Sequence, residues 1–186
     1  METMDKINEL NQIKSNATLL HSKEVIDEAL AKLQSQLTSD YAEKNPIFLV
    51  VMNGGLIFAG KILPLLNFPI QIDYCHATRY RGATTGGEIE WRAKPQMDLS
   101  GRHVIVVDDI LDEGFTLQGI VAACESMGAL SVKTLVLIEK LHDRKAFKNM
   151  KPDYCELQGP DQYSFGAGMD YNHYWRNCDA IYLLNE

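Results

Sequence analysis

Three aspartates are concentrated at one point of the sequence, directly after four apolar residues, Val104–Val107. Asp108 and Asp109 are adjacent, and Asp112 follows after two more apolar residues. Ionised carboxylates accept hydrogen bonds from sugar hydroxyls and bind Mg²⁺, directly or through water. Gly114 follows, and a glycine lets backbone N–H groups approach a phosphate without an intervening side chain. The stretch therefore predicts a site for a ligand that carries vicinal hydroxyls and a phosphate, such as a ribose 5-phosphate.

The elements on either side of these acids have different periodicities. The four apolar residues are β-branched and predict a strand that is buried on both faces. After the acids, apolar residues at helical spacing predict a helix, which Thr116 or a neighbour could cap; they are Leu117, Ile120, Val121, Cys124 and Met127. In open α/β sheets, the loop between such a strand and helix lies at the ligand-binding edge. A solvated acidic loop is the alternative, and the acids alone favour neither interpretation.

A second strand, turn and helix precede the acidic stretch. Ile47–Met52 predicts a buried strand, and residues 56–66 predict a helix. The intervening Asn53, Gly54 and Gly55 are, taken alone, typical of a tight turn. Because they lie between a strand and a helix, their N–H groups could instead bind a second anion at the same edge of the sheet.

Two later segments carry polar side chains that could reach this edge. Val132–Ile138 predicts another strand, and Lys140 near its end could be solvated or could face a ligand. Residues 159–177 are rich in aromatic residues and glycines. They could form a stacked surface loop, or a pocket whose aromatic face stacks on a purine. In the second interpretation Asp170 and Arg176 would bind metal and phosphate.

Other segments predict the supporting elements. Ser22 can cap a helix that buries Leu37 and its apolar neighbours, and a polar connection follows from Thr38 to Asn45. Residues 69–77 alternate and predict a third strand with its apolar residues on one side. Residues 180–184 predict an edge strand at the end of the chain.

The segment from Arg79 to Lys94 differs in kind, because it contains three glycines and three arginines. It could be an exposed hairpin between two strands. Long loops of this kind also serve as lids that exclude water from a reaction.

Composition limits the class of protein. The chain has 186 residues, of which 46% are apolar, and this predicts a single compact domain. A net charge of −7 argues against nucleic acid as a partner. No apolar run is long enough to cross a membrane, and the charged N-terminal residues do not predict a signal peptide. Four scattered cysteines without a CxxC pair predict reduced thiols and a cytoplasmic protein.

Three segments together resemble the hypoxanthine-guanine phosphoribosyltransferase family, a branch of the type I phosphoribosyltransferases. They are residues 108–116, residues 137–140 with Arg144, and residues 160–171. The resemblance covers most of the chain from Ile47 to Leu184. It implies an α/β fold with a mostly parallel central sheet flanked by helices, in a single domain spanning residues 1–186. It also implies a small hood built from the N-terminal and C-terminal segments, and a flexible lid loop at about residues 79–94.

The resemblance further implies a reaction in purine salvage. Such an enzyme transfers the phosphoribosyl group of 5-phosphoribosyl 1-diphosphate (PRPP) to N9 of hypoxanthine or guanine. Asp108 and Asp109 would hold the ribose hydroxyls and Mg²⁺, and Asp112 would accept the N7 proton of the base. The loop around the 5′-phosphate would consist of Glu113, Gly114, Phe115 and Thr116.

For the purine, the resemblance implies that Lys140 donates to the 6-oxygen and that Tyr163 stacks on the ring. The backbone of Ser164 would bind the edge of the base, and Asp170 would bind a second Mg²⁺ through water. The pyrophosphate end would be formed by Asn53, Gly54 and Arg176, and the lid would contribute Arg79 and Tyr80.

The chain departs from the family pattern at several of these positions. Phe115 and Asn53 stand where lysines are usual, Glu113 where a threonine is usual, and Arg79 where a serine is usual. Ser164 often corresponds to valine. With one loop cation missing, backbone N–H groups are expected to carry more of the phosphate binding, and Glu113 is expected to turn outward.

Two alternative functions follow from the same residues. The first is a transferase for xanthine or for mixed 6-oxopurines, because the choice at the 2-position depends on loop geometry near Asp170. The second is a regulator that senses PRPP without catalysis, which would require a nucleic-acid-binding surface that the sequence does not indicate. The family resemblance also implies a homodimer or homotetramer.

Overall fold

The computed structural model describes residues 2–79, 89–147 and 149–185. The helices are α1 (Glu2–Asn16), α2 (Lys23–Tyr41), α3 (Gly55–Ile62) and α4 (Phe115–Ser126). The strands are β1 (Thr18–His21), β2 (Ile47–Val51), β3 (Gln71–Arg79), β4 (Ile89–Ala93), β5 (His103–Leu111), β6 (Ser131–Lys140), β7 (Leu157–Gly159), β8 (Ser164–Phe165) and β9 (Ile181–Leu183). A single 3₁₀ turn, Leu63–Leu65, follows α3.

Six strands form a central sheet in the order β4-β3-β2-β5-β6-β7. All neighbouring pairs are parallel except β3 and β4, which are antiparallel. Strand β3, which follows β2 in the sequence, lies on one side of β2, and the later strand β5 lies on the other side. This change of direction creates a crevice at the carboxyl ends of β2 and β5, where ligands bind in open α/β sheets. The predicted fold class is confirmed.

Alternate residues of the central strands face two different apolar cores. Phe48, Ile105 and Leu137 face α2 and α3, and residues 167, 169 and 181 of the C-terminal segment belong to the same core. On the opposite face, Leu49 and Val106 pack against α4. Because both faces are covered, the strands are apolar without alternation, as predicted from the sequence.

A second sheet joins the two ends of the chain. Its order is β1-β9-β8, and its pairs are antiparallel. The prediction of an edge strand near the end of the chain was wrong, because β9 lies in the centre of this sheet. Helix α1 packs beside it, where Trp175 Nε1 donates to the Leu10 carbonyl oxygen at 3.1 Å and Lys14 lies over the Trp175 ring.

Two local predictions need correction. Helix α2 continues to Tyr41, so residues 38–41 are not part of a polar connection. The reason is tertiary, since Tyr41 is buried and contacts the rings of His103 and Tyr154 edge-on. Strand β5 continues to Leu111 because it pairs with β6 that far, so the first two aspartates lie on the strand and not in a loop.

Strand β3 has the predicted alternation, but the side that carries Ile72 and Tyr74 is the exposed one. Ile72 and Tyr74 are 53% and 47% exposed, whereas Asp73 is buried. The Asp73 carboxylate accepts backbone hydrogen bonds from Gln96 and Met97 at 2.7 and 2.9 Å, which makes its burial tolerable.

Part of the predicted lid is a strand. Residues 89–93 form β4, which pairs with the end of β3. Arg79 is the last residue of β3, and its side chain and Tyr80 lie outside the described residues.

None of the helices in the described ranges has the length and apolar character required to span a bilayer. All four cysteines are free thiols.

Candidate active site

The crevice at the carboxyl ends of β2 and β5 contains two adjoining cavities. The larger, which we call the site cavity, has a volume of about 530 Å³. It brings together most of the sequence-predicted residues, namely Asn53, Gly54, Asp108, Asp109, Asp112, Thr116, Lys140, Tyr163, Ser164, Asp170 and Arg176. The smaller, the loop cavity, has about 270 Å³ and adds Glu113, Gly114 and Phe115. Both cavities are lined by Asp108, Asp112 and Thr116, so together they form one elongated site.

Asp108 and Asp109 form the acidic centre of the site cavity. Burial and the neighbouring Asp109 carboxylate raise the pKa of Asp108 well above its usual value. Burial also raises the pKa of Asp109, although Arg176 opposes that shift with its Nη1 3.8 Å from Asp109 Oδ2. Two carboxylates that repel each other in a desolvated place suit a ligand that supplies hydroxyl donors or a cation.

Three chain segments meet around Asp109 at distances that only glycine permits. A Cβ atom on Gly54 would lie 2.6 Å from Asp109 Cγ. One on Gly168 would lie 2.5 Å from the Gly54 carbonyl oxygen and 3.1 Å from Asp109 Cβ. The Met52–Asn53 peptide bond before this turn is cis. The turn after β2, the acids of β5 and the C-terminal segment are therefore packed as one unit.

The residues predicted to bind the 5′-phosphate begin helix α4. Gly114 is its N-cap residue, with a left-handed φ of 89°, and no side chain caps this end, so the prediction that Thr116 could cap it was wrong. A Cβ atom on Gly114 would collide with the Met150 side chain and lie 2.9 Å from Leu111 Cδ1. Glycine is thus required by the fold of the loop itself. The first residues of α4 line the loop cavity, and the free N–H groups of a helix's first turn suit an anion.

Glu113 is held by an ion-pair network on the segment after β6. Arg144 Nη1 lies 3.1 Å from Glu113 Oε1, and the same guanidinium binds Asp161. The Ala146 N–H also donates to the Glu113 carbonyl oxygen at 2.7 Å. These contacts direct the carboxylate toward Arg144, whose function the sequence left open.

Asp112 lies between two donors. Lys140 Nζ is 3.1 Å from its Oδ2, and His142 Nε2 is 2.7 Å from its Oδ1. Partial burial opposes ionisation, but the hydrogen bonds from Lys140 and His142 outweigh it and lower the pKa of Asp112. The carboxylate is therefore ionised at neutral pH and can accept a proton.

The C-terminal segment forms one wall of the site cavity. Tyr163 is half exposed, and its hydroxyl donates to the Asp170 carbonyl oxygen at 2.8 Å. Ser164 is buried in β8. The Asp170 carboxylate accepts from the His173 N–H at 2.7 Å and pairs with Arg176. Arg176 Nη1 also donates to the Gly168 carbonyl oxygen at 2.6 Å, so this guanidinium orders the wall that it belongs to.

Among the described residues, the one group with three potential ligand atoms within 4.8 Å of one another is Asp112, His142 and Asp161. Its members already pair internally or with Arg144. The predicted metal residues Asp108, Asp109 and Asp170 do not form such a group.

Sequence reasoning missed several residues of the site. His76 and Arg92 line the site cavity from β3 and β4. Arg92 could have been suspected, since it is one of three arginines in the predicted lid. For His142, the only signal in the sequence was its position two residues after Lys140.

Comparisons with known proteins agree with this geometry. Residues 16–173 match the model of the phosphoribosyl transferase domain. The chain is 34% identical over 177 residues to a hypoxanthine-guanine phosphoribosyltransferase of Streptococcus pneumoniae, covering 95% of this chain and 96% of the relative. It is 29% identical to a hypoxanthine-guanine-xanthine phosphoribosyltransferase of Tritrichomonas foetus, covering 90% and 91% of the two chains.

A solved structure gives the same result. The crystal structure of a hypoxanthine phosphoribosyltransferase from Staphylococcus aureus superposes with a TM-score of 0.83 at 26% identity, covering 90% of each chain. The strand order, the acidic motif on β5 and these matches along nearly the whole chain all lead to one assignment. The chain belongs to the phosphoribosyltransferase family.

Proposed function

We propose that this protein is a purine salvage enzyme, a hypoxanthine-guanine phosphoribosyltransferase. It would transfer the 5-phosphoribosyl group of PRPP to N9 of hypoxanthine or guanine and release pyrophosphate. The observation that carries the proposal is the contact between Lys140 and Asp112 at 3.1 Å, in the cavity that also contains Asp108 and Asp109. One end of that cavity suits a sugar phosphate, and the other has the donor and acceptor that a 6-oxopurine requires.

PRPP would lie along both cavities. Its ribose hydroxyls would donate to Asp108 and Asp109, and its 5′-phosphate would occupy the loop cavity at the start of α4. The loop residues Glu113–Thr116 would bind it mainly through backbone N–H groups, because Phe115 brings no charge. Its pyrophosphate would lie against Asn53, Gly54 and Arg176.

Mg²⁺ is the cofactor that this donor set favours. The raised pKa values of Asp108 and Asp109 reflect burial that a divalent cation would compensate. Asp108 and Asp109 would hold one ion beside the ribose, and Asp170 would bind a second through water. When bound, the ions neutralise charge on the pyrophosphate leaving group.

The purine would enter between Tyr163 and Lys140. Tyr163 would stack on the ring, the Ser164 backbone would bind the base edge, and Lys140 Nζ would leave Asp112 to donate to the 6-oxygen. Asp112 Oδ2 would then accept the N7 proton while N9 bonds to C1′ and the C1′–O bond to pyrophosphate breaks. An adenine 6-amino group offers Lys140 no acceptor, so 6-oxopurines are selected. Arg79 and Tyr80 belong to the proposed lid.

The direct test is an assay with PRPP, Mg²⁺ and hypoxanthine on wild type and Asp112→Asn. Wild type should form nucleotide and pyrophosphate, and the variant should lose about 10²- to 10⁴-fold in kcat because the general base is removed. Asp5→Asn, on the exposed face of α1, serves as the matched control and should match wild type. The absence of product from wild type would end the proposal.

Xanthine is a second candidate substrate. The relative from Tritrichomonas foetus carries that base in its name and matches 90% of this chain. Xanthine has a further oxygen at C2, on the side of the base that Asp170 and its loop would face. Measuring kcat/KM for hypoxanthine, guanine and xanthine distinguishes the two functions.

We also propose that the protein forms a homodimer or homotetramer. The apolar face, defined as Leu56, Leu63, Ile70, Ile72 and Tyr74, borders a groove of about 680 Å³. Leu56, Ile72 and Tyr74 are each about half exposed, and a contiguous apolar surface of this kind marks interaction sites. A second copy of the chain is the proposed occupant, in keeping with the family. The four free thiols favour a cytoplasmic location.

A further inference from the structure

His142 contacts the proposed general base but has no assigned function. Its side chain is only 4% exposed, and its Nε2 lies 2.7 Å from Asp112 Oδ1. Lys140 Nζ lies 3.1 Å from the other oxygen, Oδ2. Each oxygen of the carboxylate therefore has its own donor, one on a flexible side chain and one on a rigid buried ring.

The backbone fixes the tautomer of this histidine. The Arg144 N–H donates to His142 Nδ1 at 3.0 Å, so Nδ1 carries no hydrogen. The single hydrogen of the neutral ring then belongs to Nε2 and points at Asp112. His142 is thereby a donor of fixed direction, set by a main-chain bond two residues further along.

We propose that His142 is a positioning residue that holds Asp112 in place while Lys140 turns to the purine. This inference rests on the proposed function. When the base binds, Lys140 moves to the 6-oxygen and Asp112 Oδ2 loses its donor. The Nε2–H bond to Oδ1 persists, so the carboxylate cannot rotate and Oδ2 stays where the N7 proton arrives. His142 itself neither gains nor loses a proton in the transfer.

The charges around Asp112 support a lasting role for this bond. Of the neighbouring acids, Asp161 pairs with Arg144, and so does Glu113. Lys145, which also faces Asp112, lies 3.7 Å from Glu139 and donates to the Leu111 carbonyl oxygen. Once Lys140 leaves, His142 is the remaining side chain with a hydrogen bond to Asp112 among the described residues.

Two substitutions separate the two bonds of the ring. In His142→Gln the side-chain amide nitrogen takes the place of Nε2 and can reach Asp112, but the Arg144 N–H loses its acceptor. In His142→Asn the carbonyl oxygen takes the place of Nδ1 and keeps the Arg144 N–H, but the side chain is too short to reach Asp112. Steady-state kinetics with hypoxanthine and PRPP, pH profiles and thermal denaturation are measured for wild type and both variants.

The Gln variant should keep kcat within about 3-fold of wild type, and the Asn variant should lose about 10-fold, as for a bond to a charged group. KM for PRPP should stay unchanged in both. Without its donor the pKa of Asp112 rises, so the acid limb of the Asn profile should move to higher pH. Wild-type kinetics from Asn, or equal losses from Gln and Asn, would overturn the inference alone. An inactive wild type would overturn the proposed function and this inference with it.

Discussion

The close approach of Gly54 to Asp109 can be tested by adding one methyl group. The backbone of Gly54 has φ −59° and ψ −51°, so alanine is conformationally acceptable there. The new Cβ atom would lie 2.6 Å from Asp109 Cγ, whereas ordinary contact begins at 3.4 Å. The Asp109 side chain would therefore have to withdraw by at least about 0.8 Å, because its Oδ2 atom would lie closer still. Gly168, packed against Asp109 Cβ, limits that withdrawal.

Gly54→Ala should lower both stability and activity. Overpacking of this size costs about 1–3 kcal/mol, which corresponds to a melting temperature lower by roughly 2–12 °C. A displacement near 1 Å of a group that binds substrate can cost about 10²-fold in rate, so we expect kcat/KM for PRPP to fall by up to that factor. The two measurements are a thermal melt and an initial-rate assay.

Gly60→Ala is the matched control in the same helix. Nothing lies within 4 Å of the added methyl group, and the position is exposed. Alanine should stabilise α3 by about 1 kcal/mol and leave kcat/KM for PRPP unchanged. Gly60 borders the apolar face, which an added methyl group keeps apolar. If Gly54→Ala had the same melting temperature and the same kcat/KM for PRPP as Gly60→Ala, the packing argument around Asp109 would be wrong.

Three further predictions follow from the same geometry. Lys140→Ala should reduce the preference for hypoxanthine over adenine by at least about 10-fold in competing rate assays, and an unchanged ratio would place base selection elsewhere. Asp108→Asn should abolish most activity yet melt at a higher temperature than wild type at neutral pH, because the ionised Asp108 is destabilised by burial and by Asp109. That difference in melting temperature should shrink as the pH falls through the raised pKa of Asp108, because the Asp108 carboxyl group of the wild type then becomes protonated and neutral. A difference that stayed constant with pH would contradict the electrostatic cause. Ile72→Glu should shift the sedimentation coefficient toward the monomer, whereas Leu130→Glu, at an exposed position outside the apolar face, should not.

The parts of the candidate site that lie on one continuous element, strand β5 and the residues directly after it, were predictable from the sequence. The β-branched run before Asp108 predicted a buried strand, which is present in the structure. The spacing to Asp112 predicted a site at the carboxyl end of that strand, where the structure has the site cavity. These features are local, so a single chain contains their pattern.

Features that depend on distant segments were not predictable in the same way. The contact between Asp112 and His142 spans 30 residues, and the bond that sets the histidine tautomer depends on the turn at residues 142–144. From the sequence alone, Asp73 is expected to face outward. In the structure it is buried, because residues 96–97 lie against it and supply two N–H donors. Such pairings arise from tertiary packing, which leaves no period in the sequence.

Two cationic side chains of the site are already paired with carboxylates, so neither is free to bind PRPP without losing a partner. Arg176 is engaged with Asp109 and Asp170, and Lys140 is engaged with Asp112. The protein as a whole carries a net charge of −7, so its field opposes an anionic substrate. At Lys140 and Arg176, binding must therefore exchange partners within the site and not add an ion to a free cation.

In the proposed mechanism, this exchange gives the residues around Asp112 distinct tasks. A 6-oxopurine would take Lys140 away from Asp112 because it offers an oxygen in return, and an adenine would not. Taking Lys140 away would also leave the carboxylate a stronger base at the moment when the N7 proton is to be removed. A second, immobile donor at Oδ1 then decides whether that base remains aligned, and this is the step at which His142 would contribute to the rate.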